Sequence, residues 1–183
     1  FGAAITIGNV TGNGYKDLIV GAPREYNSAG GVLVFNGGYS SVTASHHVHN
    51  GDAGVGDRFG TAISVGQFLA GSAQVDIAVG IPGERIGSSL RGAIWRYVGA
   101  YSGTPSHGWS GQQHFYSVSS SDPVLPTSLQ SASLGAAMAV GRFTGGNAQI
   151  AAGAPTDKPD GATTSGSVFV YDGHGNDLQR LDQ

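Results

Sequence analysis

Phe1-Gly-Ala-Ala-Ile-Thr-Ile-Gly8, followed by Asp17-Leu-Ile-Val-Gly-Ala-Pro23, decides the fold, because the pair occurs three times. Phe59-Gly-Thr-Ala-Ile-Ser-Val-Gly66 leads to Asp76-Ile-Ala-Val-Gly-Ile-Pro82, and Leu134-Gly-Ala-Ala-Met-Ala-Val-Gly141 leads to Gln149-Ile-Ala-Ala-Gly-Ala-Pro155. A third block follows each copy: Gly31-Val-Leu-Val-Phe-Asn-Gly37, Ala93-Ile-Trp-Arg-Tyr-Val-Gly99 and Ser167-Val-Phe-Val-Tyr-Asp-Gly173. Three ordered blocks used three times are one structural unit repeated.

Within the first unit, residues 3–7 read as a strand that Gly8 closes, with small residues where backbones approach closely. Leu18–Val20 is a short, wholly apolar strand, as expected where both faces of a sheet are covered. Gly21-Ala-Pro23 ends it, since Pro has no N–H to give a ladder. Residues 24–30 read as a polar loop and Val32–Phe35 as a third strand before the Asn36-Gly-Gly38 turn. Residues 42–49 are more polar and suit an outermost strand. Four short antiparallel strands per unit make the blade of a β-propeller, and the fold class is all-β. Blade one is expected over about 1–58, blade two over about 59–118 and blade three over about 134–183, with an insertion at 119–133. Asp177–Gln183 supplies a remnant fourth strand. Propellers close with about four to eight blades. Further blades must come from a longer chain or from other copies, and the lack of an atypical capping repeat at either end favours the longer chain.

The composition narrows the function. The 183 residues include 32 Gly at fixed places in the repeat, which marks turns rather than low complexity. A net charge of −3 and no polybasic cluster argue against nucleic acid and anionic lipid as partners. No run approaches the roughly 18 apolar residues of a membrane span. Cysteine is absent, so it does not fix the compartment. Low Lys with high Ser, Thr and Gly leans towards a secreted or surface protein. The first residue already belongs to a repeat block, so any leader peptide would have been removed before it.

Phe1-Gly2, Gly21-Ala22-Pro23, Phe59-Gly60, Gly80-Ile81-Pro82, Leu134-Gly135 and Gly153-Ala154-Pro155 resemble the FG-GAP repeat, the blade of the integrin α-subunit propeller. The resemblance covers nearly the whole chain outside the insertion. It implies an extracellular, integrin α-like module serving adhesion or lectin binding, or the propeller part of a secreted hydrolase. It also implies a calcium loop between the first two strands. Calcium takes six to eight oxygens, several from carboxylates. The corresponding positions in blade one are Asn9, Thr11, Asn13 and Asp17, with one carboxylate among them. Blade two offers Gln67 and Asp76, and blade three Arg142 and Gln149. The alternative is a plain turn held by side-chain-to-backbone hydrogen bonds from Asn9, Asn13 and Asp17. Asn9-Val-Thr11 is also an N-glycosylation sequon, and a glycan on Asn9 would keep calcium out of that loop.

Other candidates are local. His47 and His49 share a strand face and could hold a transition metal, against the simpler role of polar residues on an exposed edge. Gly108-Trp-Ser-Gly111 lacks the spacing of a hydrolase elbow, which needs Gly-x-Ser-x-Gly between strand and helix. Trp109, His107 and Tyr101 are loop aromatics able to stack on a sugar face, or to pack between blades. Arg24, Glu25, Glu84, Arg85, Asp157, Lys158 and Asp160 follow the Gly-x-Pro turns and are expected on one rim of the disc. Binding residues concentrate on loops held by a rigid scaffold, so Arg24, Glu84 and Arg85 join the aromatics as ligand-binding candidates. Arg96 stands where Val34 and Val170 stand in the other blades and needs a partner, for which Glu84 is a candidate. No nucleophile, base and acid recur together, so the expectation is a non-catalytic module that binds protein or glycan. A subunit of a larger assembly or filament is a further alternative.

Overall fold

The computed structural model describes residues 1–49, 54–68, 75–86, 89–97, 112–116, 132–159, 164–173 and 177–182. Three four-stranded antiparallel sheets carry the three repeats. The first runs β1 (Ala4–Gly8), β2 (Asp17–Ala22), β3 (Gly31–Gly37) and β4 (Val42–Val48) in spatial order. The second places β5 (Ala62–Gly66) beside β6 (Asp76–Ile81); a two-stranded ribbon, β7 (Arg85–Ile86) with β8 (Ser89–Leu90), precedes β9 (Ala93–Tyr97) and β10 (Gln112–Tyr116). The third runs β11 (Ala137–Gly141), β12 (Gln149–Ala154), β13 (Ser167–Tyr171) and β14 (Asp177–Asp182).

Strand ends differ from the sequence reading by at most two residues, and pairing explains why. Gly8 closes β1 as its last residue, still paired with Asp17. Gly21 and Ala22 continue β2, opposite Val32 and Gly31. The polar loop at 24–30 contains a tight turn, Glu25–Ser28, in which Tyr26, Asn27 and Ser28 all have positive φ.

Two apolar layers hold the sheets together. Ile19, Val32, Phe59, Ile77, Ile81 and Trp95 belong to the layer between the first and second sheets. Ile94, Leu134, Ile150, Ala152, Phe169 and Tyr171 belong to that between the second and third. The first strands β1, β5 and β11 lie side by side. Neighbouring blades also touch backbone to backbone at glycines of the second strands β2 and β6. A Cβ on Gly21 would collide with the Gly60 carbonyl, and one on Gly80 with that of Gly135.

The same joint is built twice. Phe59 donates its N–H to Ala29 O at 2.9 Å, and Leu134 donates to Arg91 O at 3.0 Å. Both side chains are fully buried. The following glycine turns the corner at φ +88° in Gly60 and +86° in Gly135, a region open to few other residues.

Candidate functional site

The loop between β1 and β2 is closed by its own side chains. Asp17 is fully buried beneath it. Its Oδ2 accepts hydrogen bonds from the Val10 N–H, the Thr11 N–H and Thr11 Oγ1, each at 2.9 Å, and its Oδ1 accepts from the Gly37 N–H at 3.0 Å. Asn9 Oδ1 accepts from the Gly12 N–H at 3.0 Å, and Asn13 Oδ1 from the Tyr15 N–H at 2.9 Å. Asn13 Nδ2 donates to Gly37 O. In blade three Gln149 does the work of Asp17: its Oε1 accepts from the Phe143 and Thr144 N–H groups at 2.8 and 3.0 Å. Its Nε2 donates to Thr144 Oγ1. A neutral amide can stand for a carboxylate here because the task is to accept N–H groups.

This chemistry does not fit calcium. The blade-one loop supplies one carboxylate, and both of its oxygens already accept donors; a cation would have to displace them. Among the described residues, no three His, Cys, Asp or Glu side chains come together to hold a metal ion. Asn9 is half-buried and the Thr11 hydroxyl of its sequon is bonded to Asp17.

The loops after the Gly-x-Pro turns share one backbone design. The acid two residues beyond the proline presents its carbonyl to the glycine that opens the next strand: Gly30 to Glu25 at 3.0 Å, Gly92 to Glu84 at 3.0 Å, Gly166 to Asp157 at 3.1 Å. The side chains differ in fate. Arg24 and Arg85 are exposed, while Glu25 and Glu84 are half-buried. Asp157, expected on the charged rim, is instead buried: it accepts from Ser167 Oγ and pairs with Arg180 at 3.0 Å. Arg180 in turn lies over the Phe169 ring, 5.6 Å from its centroid. Lys158 is exposed, and Asp160 lies outside the described residues.

Blade one carries a compact surface cluster. His47 Nε2 lies 2.9 Å from Glu25 Oε2. Tyr26, two-thirds exposed, stacks on the His47 ring at 5.9 Å, and His49 follows with its ring 5.5 Å from His47. Three consecutive non-glycine residues at positive φ hold this corner, a strained arrangement of the kind found at ligand clamps and switch regions. The histidine strand was legible in the sequence; Tyr26 and its turn were not, because Glu-Tyr-Asn-Ser carries no glycine to announce positive φ. Trp109, His107 and Tyr101 lie outside the described residues.

Arg96 is 4% exposed. Burial lowers its pKa, and the charges of Asp76 and Asp172 oppose that shift by favouring the cation.

Comparison with known proteins agrees with this architecture. Residues 1–35 match the FG-GAP repeat family. Human "Integrin alpha-X" is 36% identical over 100 residues, which is 52% of this chain and 9% of that protein. Human "Integrin alpha-D" and mouse "Integrin alpha-M" are each 36% identical over 89 residues, covering 46% and 45% of this chain respectively and 8% of each relative. The matched region is thus a small part of each relative.

Proposed function

We propose, from the match of residues 1–35 to the FG-GAP repeat family and the similarity of about half the chain to integrin α subunits, an extracellular, non-catalytic binding module whose ligand is protein or glycan. The similarity supports an adhesion-type β-propeller module. The observation that carries the finer reading is the blade-one cluster of Glu25, Tyr26, His47 and His49. An exposed aromatic face can stack on a sugar ring or cover an apolar side chain, while the carboxylate and imidazoles address hydroxyls or a cation. Arg24 lies next to the cluster in sequence, and Arg85 follows Glu84 in blade two as Tyr26 follows Glu25; both arginines are exposed. Trp109, His107 and Tyr101 are proposed as a second set in blade two. Asn9 remains the proposed glycosylation position.

Binding to glycan and matrix-protein arrays tests the proposal. Saturable binding should weaken by more than about tenfold in Tyr26→Ala, as for a truncated aromatic anchor. Arg24→Ala should weaken it less. Binding that survives Tyr26→Ala, His47→Ala and Trp109→Ala together would reject these surfaces.

A further inference from the structure

Each blade carries an acid two residues beyond the proline of its Gly-x-Pro turn: Glu25, Glu84 and Asp157. Each also carries a basic residue at one register of its fourth strand, opposite the third residue of the third strand. Across the ladder His47 pairs with Leu33, His114 with Trp95 and Arg180 with Phe169. In blades one and three the acid meets that base. Glu25 Oε2 lies 2.9 Å from His47 Nε2, and Asp157 Oδ2 lies 3.0 Å from a guanidinium nitrogen of Arg180. The pair ties the loop between the second and third strands to the outermost strand of the same blade.

The two ties differ in chemistry. In blade three Ser167 donates its hydroxyl to the same Asp157 oxygen, and Arg180 also reaches Asp182. Arginine keeps its charge throughout the range in which proteins fold. In blade one Gly31 stands where blade three has Ser167, so no hydroxyl joins the pair; a Cβ there would fall 2.5 Å from both Glu25 Oε2 and His47 Nε2. Imidazole changes charge between about pH 5 and 8. The loops differ too. Tyr26, Asn27 and Ser28 all stand at positive φ, whereas residues 156–159 include no such position. Positive φ in side-chain-bearing residues persists only where the surroundings impose it. From the following segment, the Gly56 and Arg58 N–H groups donate to the Ser28 carbonyl at 3.2 and 2.9 Å. From the blade's own sheet, the side-chain contacts converge on His47, which meets the Glu25 carboxylate at Nε2 and the Tyr26 ring against its face. His49, ring to ring at 5.5 Å, is the other titratable group against His47 among the described residues, and β3 offers only Gly31 and Leu33.

We propose that the Glu25–His47 pair is a pH-operated latch on the β2–β3 turn of blade one. The protonated ring holds the turn against β4 through a charge-assisted bond; the neutral ring holds it less firmly and frees Glu25 and Tyr26 to move. The sign follows from the partner. A carboxylate favours the imidazolium, so the tie contributes most at acid pH and fades as the pH rises. Arg180 in blade three is the permanently closed form of the same latch. The latch is a property of the turn and does not require that Tyr26 meet a ligand.

Hydrogen exchange tests it at the Ala29 and Gly30 amides, which close the turn on the Tyr26 and Glu25 carbonyls. Protection, corrected for the intrinsic pH dependence of exchange, should fall about threefold between about pH 5.5 and pH 8 in the unaltered chain, the size of an ion pair near a protein surface. His47→Arg copies blade three and should keep the acid-pH protection throughout. His47→Gln removes the charge and should show the lower protection at both ends; should it not fold, the comparison with His47→Arg decides. Equal protection at the two pH values in the unaltered chain would overturn the proposal, as would a fall that His47→Arg leaves in place. The readout contains no ligand, so its failure leaves the binding surface to the array experiment.

Discussion

At the scale of the residue, the first position of the second strand governs a loop in blades one and three. Asp17 satisfies three backbone N–H groups and one hydroxyl from a fully buried site. Asp17→Ala leaves those donors without an acceptor, at about 1–3 kcal/mol for each buried group left unsatisfied. A loss of roughly 3 kcal/mol in urea unfolding is the expected outcome. Gln149→Ala should show the same direction, because an amide already does this work in blade three. Arg96 makes a related case. It is buried near the buried Asp76, whose charge favours the cation. Removing one partner of a buried ion pair leaves the other charge uncompensated, so Arg96→Val should destabilise by about 3–5 kcal/mol, read by the same unfolding curve. The sequence pattern showed the anomaly of Arg96 but not its electrostatic setting, because Asp172 lies far away in the chain.

At the scale of the element, the apolar-Gly corners carry the blade joints. Phe59→Ala should lower stability by about 3–5 kcal/mol and Leu134→Ala by about 2–5 kcal/mol, since each empties a fully enclosed site. Phe1→Ala, measured on dilute monomer, should lie within about 0.5 kcal/mol of the unaltered chain, because its ring is mostly in solvent. Blocks repeated in register made these strands legible. Their ends were less so, since whether Gly8 or Gly21 stays in a strand depends on the partner opposite. The ribbon at 85–90 escaped reading because two residues per strand give no periodicity. The pairing of Asp157 with Arg180 escaped for another reason: nothing local says that the acid after a Gly-x-Pro turn reaches its own blade's fourth strand.

At the scale of the whole molecule, the blades are held by apolar joints and by loops that supply their own hydrogen bonds. Calcium is not needed in such a scheme. Thermal unfolding with excess chelator and with millimolar calcium should give the same midpoint; a chelator-sensitive midpoint would restore Asn9, Thr11, Asn13 and Asp17 as an ion site. The candidate binding surface was only partly visible beforehand. The exposed rim charges could be placed from the Gly-x-Pro turns, but the meeting of Glu25, Tyr26 and His47 required the β2–β3 turn to fold back on β4. The central claim is that one backbone contact, repeated from blade to blade, builds the molecule. The most direct measurement compares urea unfolding of Gly80→Ala and Gly153→Ala at a concentration where the chain is monomeric. The two glycines occupy the same place in successive blades, one beneath a neighbour and one open. Gly80→Ala should lose more than about 2 kcal/mol, in the range for overpacking against immovable backbone, and Gly153→Ala almost nothing. Equal losses at the two positions would contradict the account.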